Sequence, residues 1–365
     1  MSSKGRVETE FLQQNNLTMA EFKTPTVNRM KKTEDVTGTP KIVIPPSPLM
    51  KQLGYGTGVN VYLMERFSPM HGNYKSPWAV KKRNRMIKDD QGEYLKRLNT
   101  EANLLKTMSH PNIIGFRSYT VQKDGSPCLA MESGDQSLEN LIERRREEAG
   151  LDPFPSIQIL KVARDMACGL QYLHEKMKLL HGDLKSGNVL IQGDFKAAKL
   201  CDFGVSLKLN EKGALCDPAQ YYIGTECWSA PEVFEEGIIT QKTDMFAFGL
   251  VLWEMITLRA PHVDKLDSDF SSDELSESDL SDSLQEEEYL KALGTRPYLP
   301  DIPLTEDYLQ VLEIFYACTE TEPDKRPTAA KILHILESIV KKKDNTNTKG
   351  IGGDSKFLEM LHEDL

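Results

Sequence analysis

The chain has 365 residues, enough for one large domain or two modest ones, and an ordinary globular composition. It has no run of about 18 apolar residues and its N-terminus is polar, so neither a membrane span nor a secretion signal is predicted. The net charge of -10 lies in residues 264–288, which hold eleven acidic residues and one lysine, so the rest has 44 basic and 44 acidic residues. This neutrality argues against nucleic-acid binding, which needs a net basic surface.

Residues 1–45 are polar, lack sustained periodicity and contain two Thr-Pro steps, which predicts a disordered tail. Apolar and β-branched residues around a glycine-rich turn predict strands over Leu53–Met64, and similar character predicts strands over Trp78–Lys81 and Cys128–Met131. Between these strands, Glu93–Met108 has apolar residues at helical spacing. The first part of the chain is therefore expected to be rich in strands.

Beyond Gly134 the apolar pattern becomes helical. Asp244–Leu258 is apolar nearly all round, which predicts a central buried helix. The change of pattern near residues 132–134 predicts two lobes with a cleft between them. Residues 264–288 read as a disordered acidic insertion, which could recruit a basic partner, and residues 341–353 as a linker. The other predicted helices are Ser156–Glu175, Leu309–Cys318 and Ala329–Val340.

A glycine-rich segment with the sequence LGYGTGVNV covers residues 53–61. Glycines let backbone N–H groups approach phosphate oxygens without a Cβ in the way. A plain glycine-rich hairpin turn would have the same sequence, so this segment alone does not decide between the two. As a phosphate loop, its predicted ATP-binding residues are Leu53, Gly54, Gly56, Gly58 and Val61.

Lys81 ends the segment Ala79-Val80-Lys81, which resembles the V-A-I-K strand of protein kinases, and the resemblance implies that Lys81 holds the α- and β-phosphates of ATP. Glu101, twenty residues later in the predicted helix, is its natural ion-pair partner. An exposed strand lysine and a helix-surface glutamate are the alternatives. Ala79, Met131 and Glu132 are assigned to the same ATP-binding set.

The strongest signal is the segment from His181 to Asn188, followed by Cys201-Asp202-Phe203-Gly204. It resembles the H-R-D-L-x-x-x-N and D-F-G motifs of protein kinases. The resemblance implies that Asp183 accepts the proton of the substrate hydroxyl or orients that hydroxyl. It also implies that Asn188 and Asp202 ligate Mg²⁺ through oxygen, as a hard cation demands.

The resemblance to protein kinases extends over about residues 50–338. Ala230-Pro231-Glu232 is similar to the A-P-E that closes the activation segment, and Arg326 to the distant arginine that pairs with its glutamate. Asp244 corresponds to the aspartate that bonds to the catalytic-loop backbone. The resemblance implies an α+β, bilobal protein-kinase fold that uses ATP and Mg²⁺. The implied limits are a tail over 1–45, a kinase domain over 46–340 with lobes at about 46–133 and 134–340, and a tail over 341–365.

Two residues near Asp183 indicate which hydroxyl group accepts the phosphate, and they favour serine and threonine. Lys185 and Thr225 resemble the arrangement of Ser/Thr kinases, in which both contact the active-site aspartate. Dual specificity stays open, because the sequence also resembles MAP-kinase kinases. Trp228 lies near the acceptor pocket, where simple packing and a role in specificity are equally open.

Two positions depart from the kinase pattern. Val59 replaces the third glycine of the phosphate loop, and Gly182 replaces the arginine that usually pairs with a phosphate on the activation loop. Glycine has no side chain for such a pair. We therefore predict that phosphorylation does not order the loop through residue 182. Replacing Ser206, Tyr221 and Tyr222 together by alanine tests this prediction. The prediction is wrong if the triple variant loses activity and phosphomimetic residues at the same positions restore that activity.

Several segments resemble a MAP-kinase-kinase-like group of mitotic Ser/Thr kinases: residues 22–25, 54–64, 76–82, the H-G-D triplet and the acidic insertion after His262. This resemblance implies protein substrates, with MAP kinases as candidates, and a proline-directed cyclin-dependent kinase acting on Thr24. The six cysteines form no C-x-x-C pair, so reduced thiols and a location in the cytoplasm and nucleus are predicted. Cys201 is read as a small buried apolar residue.

The C-terminal residues His362-Glu363-Asp364-Leu365 suit capture of a terminal leucine by a PDZ domain. Glu363 stands where the commonest PDZ class takes Ser or Thr, so an acidic class and no PDZ partner are both open.

Two other classes of protein are alternatives to an active protein kinase. A pseudokinase scaffold acting through its tails and acidic loop would need loss of a key residue, and Lys81, Glu101, Asp183, Asn188 and Asp202 are all present. A small-molecule kinase is opposed by the A-P-E segment and by Lys185 with Thr225.

Overall fold

The computed structural model describes residues 50–56, 59–67, 74–83, 92–122, 125–265 and 286–345. Thr24, Gly58, most of the acidic insertion and Leu365 therefore lie outside the described residues, and the predictions about them stay predictions.

The N-terminal lobe is a five-stranded antiparallel sheet in the order β1-β2-β3-β5-β4. Its register places the predicted ATP-binding positions side by side. Val61 pairs with Gly54 on one side and with Lys81 on the other, and Ala79 pairs with Met131. One helix, α1, packs on β4 and β5 and buries Leu98, Ala102 and Leu105. The elements are β1 Met50–Gly56, β2 Val59–Phe67, β3 Tyr74–Arg83, α1 Glu93–Thr107, β4 Phe116–Val121 and β5 Pro127–Glu132.

The C-terminal lobe is mostly helical, as its periodicity predicts. Its helices are α2 Leu138–Ala149, α3 Ser156–Gln171, α4 Pro231–Phe234, α5 Gln241–Thr257, α6 Leu309–Cys318 and α7 Ala329–Asn345, with a further helical segment over 286–292. Helix α5 is buried along nearly its whole length and contacts α3 and α6, while α3 also packs on α7. The prediction of a central buried helix is confirmed.

Short strands bring together the catalytic loop (residues 181–188) and the activation segment (residues 202–232). They are β6 Gln136–Ser137, β7 Leu179–Leu180, β8 Val189–Gln192, β9 Ala197–Leu200 and β10 Leu207–Lys208. The sheet β6-β8-β9 lies next to the cleft, and β7 pairs with β10. The predicted α+β, bilobal fold is confirmed. Within the part of the chain that the model describes, no helix has the length and apolar character needed to cross a membrane.

Three helix limits differ from the sequence prediction by more than one residue. Helix α5 begins at Gln241 rather than at Asp244, because Thr240 and Thr243 form a reciprocal capping box at its N-terminus. Helix α3 ends at Gln171, and a π-helical turn over Tyr172–Met177 replaces its predicted last turn. Helix α7 continues to Asn345 instead of ending at Val340, since neither glycine nor proline interrupts the residues between them.

Candidate active site

A cleft of about 1010 Å³ lies between the two lobes. Apolar side chains of β2, β3 and β5 line its upper part, and the catalytic loop and the residues after β9 line its lower part. Leu53, Gly54 and Gly56 lie in β1, and Glu132 ends β5 at the junction of the lobes. The cleft thus brings together ten of the predicted site residues: Val61, Ala79, Lys81, Glu101, Met131, Asp183, Lys185, Asn188, Asp202 and Thr225.

Lys81 joins the two lobes at the back of the cleft. Its Nζ lies 2.9 Å from Glu101 Oε2 on α1 and 2.8 Å from Asp202 Oδ1. Burial by itself lowers the pKa of Lys81, but the Asp202 and Glu101 carboxylates outweigh it and raise that pKa. Lys81 therefore stays charged, and the predicted ion pair with Glu101 is formed.

The two carboxylates respond differently to this shared cation. Burial raises the pKa of Glu101 to about 7 in spite of Lys81. Burial also acts to raise the pKa of Asp202, but Lys81 outweighs it and the pKa of Asp202 is lowered. Asp202 has left-handed backbone (φ 66), and its side chain is 39% exposed. A charged, accessible carboxylate in the cleft suits a divalent cation.

The catalytic loop presents Asp183 to the acceptor side of the cleft. Asp183 Oδ1 accepts hydrogen bonds from the Thr225 backbone N–H at 3.0 Å and from its Oγ1 at 2.7 Å. Lys185 Nζ lies 2.7 Å from Thr225 Oγ1 and 3.5 Å from Asp183 Oδ2. The structure therefore brings Asp183, Lys185 and Thr225 into direct contact.

Asn188 orients Asp183 from the other side. Its Nδ2 donates to the Asp183 backbone oxygen at 2.7 Å and to Oδ2 at 3.0 Å. Because the amide nitrogen is used in this way, the Oδ1 of Asn188 is the atom suited to a cation. No group of three or more His, Cys, Asp or Glu side chains among the described residues could enclose a metal. Asn188 with Asp202 fits Mg²⁺, which usually takes one or two protein ligands and completes its shell with water and phosphate.

Asp244 holds the backbone of the catalytic loop. Its Oδ2 accepts from the His181 N–H at 2.8 Å, its Oδ1 accepts from the Gly182 N–H at 3.0 Å, and His174 Nε2 lies 2.7 Å from Oδ2. Burial acts to raise the pKa of Asp244, but the His174 hydrogen bond and the other contacts leave it lowered. Where Asp244 holds its N–H group, Gly182 has φ 80, a left-handed conformation that glycine adopts without strain.

The activation segment returns to the body of the lobe through a buried ion pair. Arg326 is fully buried, and its Nη1 and Nη2 each lie 2.8 Å from one oxygen of Glu232. The predicted pairing of these residues is therefore present. Along the segment, Ser206 Oγ donates to the His181 carbonyl at 2.9 Å, while Tyr221 is 86% exposed.

Glu254 is a residue that the motif reading missed. Its Oε2 accepts from Trp228 Nε1 at 2.7 Å and its Oε1 from Ser186 Oγ at 2.8 Å, so it joins the activation segment to the catalytic loop. Burial raises the pKa of Glu254 to about 8. Trp228 is buried by packing and by this bond. The available sequence signal is a single carboxylate within the otherwise apolar stretch 245–256 of helix α5. Burial also raises the pKa of the partly buried Cys201 thiol, which suits an unreactive side chain.

Comparison with known proteins agrees with this geometry. The profile described as "Protein kinase domain" matches residues 48–336. The chain is 52% identical to the human lymphokine-activated killer T-cell-originated protein kinase over 326 residues, 88% of this chain and 99% of that protein. The segments singled out in the sequence, from residues 22–25 to the acidic insertion, also resemble T-LAK-cell-originated protein kinase in particular, and the identity confirms that resemblance.

More distant relatives include the serine/threonine-protein kinase CTR1 of Arabidopsis thaliana and the dual specificity protein kinase shkA of Dictyostelium discoideum. Each is 28% identical over 70% of this chain. The chain spans only 28% and 44% of the lengths of these two proteins.

Proposed function

The chain belongs to the protein kinase family, and we propose that it transfers the γ-phosphate of ATP to serine and threonine hydroxyls of protein substrates. The observation that carries this proposal is the contact of Asp183 with both Thr225 and Lys185. This arrangement leaves a carboxylate and an ammonium group beside the position of an acceptor hydroxyl. The relatives include both Ser/Thr and dual-specificity kinases, so tyrosine remains to be tested as a second acceptor.

Phosphoryl transfer requires that the reacting groups are positioned and that negative charge is neutralised. Different charged residues of the cleft have these roles. Lys81, held by Glu101, binds the α- and β-phosphates. Asn188 and Asp202 would hold Mg²⁺, and the bound cation would neutralise negative charge on the phosphate oxygens. Lys185 stabilises negative charge that develops on the transferred group. Asp183 accepts the hydroxyl proton or orients the hydroxyl, so each step uses a residue of the cleft.

Apolar side chains bind the adenine end of ATP. Val61, Ala79 and Met131 come from three neighbouring strands and line the cleft. The backbone of Glu132, the last residue of β5, is assigned to a contact with the base at the junction of the lobes. Leu53, Gly54, Gly56 and Gly58 are assigned to the glycine-rich cover of the nucleotide. We propose that Val59 changes the shape of this cover without removing it.

Regulation is proposed to act outside the described residues. We assign Thr24 to a proline-directed cyclin-dependent kinase, and Leu365 to a PDZ domain of the acidic class if it has such a partner. MAP kinases as substrates, a mitotic role and a location in the cytoplasm and nucleus are part of the same proposal. The 52% identity to the human kinase supports these assignments as hypotheses for this chain.

The test compares the wild-type protein with Asp183→Ala in a radiolabelled ATP assay on a generic basic protein. We expect Asp183→Ala to lose transfer by about 10²-fold or more, because general-base and orienting groups contribute factors of this size. Asp194→Ala, which removes an exposed carboxylate from the turn between β8 and β9, is the matched control and should keep wild-type activity. Phosphoamino-acid analysis of the product then separates serine, threonine and tyrosine.

Equal transfer by the wild type and Asp183→Ala would overturn the proposal. Nucleotide binding by both proteins, measured separately, shows that the loss in Asp183→Ala concerns transfer and not folding. A wild type that binds ATP but transfers no phosphate would favour the pseudokinase alternative.

A further inference from the structure

We propose that the side chain of Glu132 clamps the junction between the two lobes and thereby sets the affinity for ATP. This inference rests on the proposed function, but it concerns a network of side chains that takes no part in phosphoryl transfer. Glu132 is the last residue of β5 and pairs with Trp78 of β3. It is therefore a positioning residue at the point where the chain passes from one lobe to the other.

One carboxylate collects hydrogen bonds from three separate parts of the chain. Glu132 Oε2 accepts from the Gly115 backbone N–H at 3.2 Å and from Lys199 Nζ at 3.0 Å. Its Oε1 accepts from Gln192 Nε2 at 3.0 Å and lies 2.9 Å from Lys199 Nζ. The backbone N–H of Glu132 also donates to the Gly115 carbonyl at 2.7 Å.

These partners belong to both lobes. Gly115 lies in the loop between α1 and β4, whereas Gln192 and Lys199 lie in β8 and β9 beneath the cleft. The same loop is held along β9: the Asn112 carbonyl accepts from the Leu200 N–H at 2.9 Å. Strand β9 leads directly to Asp202. The Glu132 carboxylate thus ties the end of the upper sheet to the strand that positions the cation ligand.

The clamp is partly shielded from water, which makes its charge pair stronger than a surface pair. The side chains of Glu132 and Lys199 are 22% and 13% exposed. Burial acts to raise the pKa of Glu132, but the hydrogen bonds from Lys199 and Gln192 outweigh it and leave the pKa below its usual value. Glu132 is therefore ionised at neutral pH, and the clamp is formed under working conditions.

The position of the clamp predicts which kinetic constant it controls. In the proposed function, Lys81 of the upper lobe binds the phosphates of ATP and Asp202 of the lower lobe would hold the Mg²⁺ that accompanies them, so the affinity for ATP depends on the angle between the lobes. The acceptor site is made by Asp183, Lys185 and Thr225, all in the lower lobe. Loosening the junction should therefore weaken ATP binding and leave binding of the acceptor peptide unchanged.

The experiment measures KM for ATP and KM for a peptide in Lys199→Met and in the isosteric Glu132→Gln. We expect KM for ATP to rise about fivefold in each, the factor expected for loss of a partly shielded ion pair. KM for the peptide should stay within about twofold. Lys199→Arg keeps the positive charge and N–H donors, so KM for ATP should stay near the wild-type value in this variant. Lys196→Met, at an exposed lysine of the same hairpin, is the matched control.

An unchanged or lowered KM for ATP in both Lys199→Met and Glu132→Gln would refute the proposal that the Glu132 clamp sets the affinity for ATP. Equal rises in both Michaelis constants would indicate a general loss of structure and would also overturn it. If Lys199→Met does not fold, Glu132→Gln alone decides, since its shape is nearly that of the wild type. A wild type without transfer activity would instead refute the proposed function, and MgATP affinity from thermal shift would still test the clamp.

Discussion

Replacing Arg326 by methionine tests the anchor of the activation segment, because it removes the charge and keeps much of the apolar stem. All five N–H groups of the guanidinium have acceptors in the structure. Two go to Glu232, and the other three go to the backbone carbonyls of Glu320, Lys242 and Thr321. The variant would leave the Glu232 carboxylate, which is 5% exposed, with the Thr243 hydroxyl as its remaining side-chain donor.

An unpaired buried charge of this kind costs about 3–5 kcal/mol. That is a large share of a typical free energy of unfolding of about 5–15 kcal/mol. At roughly 2–4 °C per kcal/mol, the melting temperature should fall by about 6–20 °C. Thermal unfolding followed by circular dichroism measures this shift. Arg164→Met removes an arginine whose side chain is 52% exposed and should cost less than about 1 kcal/mol.

The double variant Arg326→Met with Glu232→Gln checks the physical cause. If the cost comes from an unpaired carboxylate, neutralising Glu232 should recover part of the lost stability in the Arg326→Met background. The reasoning is refuted if Arg326→Met costs less than about 1 kcal/mol, or if Glu232→Gln makes that background still less stable.

Two further predictions concern the catalytic loop. Gly182→Ala should destabilise the protein by about 1–2 kcal/mol in urea unfolding, because residue 182 has φ 80 and a Cβ there would lie 3.1 Å from a backbone carbonyl oxygen. Gly92→Ala is the control, because Gly92 has left-handed backbone (φ 69) with open space around a Cβ, so an equal cost in both variants would show that the contact adds nothing. The raised pKa of Glu254, about 8, predicts that stability falls as pH rises from about 4.5 to 8, since the unfolded chain ionises first. Glu254→Gln, which keeps a polar group beside Ser186 and Trp228, should flatten the melting temperature between pH 5 and 9, and parallel curves for the two proteins would contradict this prediction.

Local sequence patterns are sufficient to predict the helices whose limits depend on neighbouring residues. The spacing of apolar residues gave α6 over its whole length and placed α1 and α5 within a few residues. The limits it missed depend on capping and on helix propensity beyond the apolar stripe. Helix α5 begins at Gln241, three residues before Asp244, because the side chain of the preceding Thr240 satisfies free N–H groups of the first turn.

Much of the site could also be predicted, because phosphoryl transfer requires certain side chains in a certain order. Lys81, Asp183, Asn188 and Asp202 were named from their motifs, and all four line one cleft. Glu254 was not named, since it belongs to no short motif and joins Ser186 and Trp228 only after folding.

The sequence by itself determined the chemical groups, their order and the exceptional glycine beside Asp183. The resemblance to protein kinases already implied that Thr225 meets Asp183 and that Arg326 meets Glu232, and the structure has both contacts. Only the tertiary structure decided that Lys199 meets Glu132 and that Glu254 meets Ser186 and Trp228. Periodicity reports contacts within a few residues, whereas these last three pairs are 67, 68 and 26 residues apart and are set by the packing of whole elements. The left-handed backbone of Gly182 belongs to the same class, because Asp244, 62 residues away, holds its N–H group.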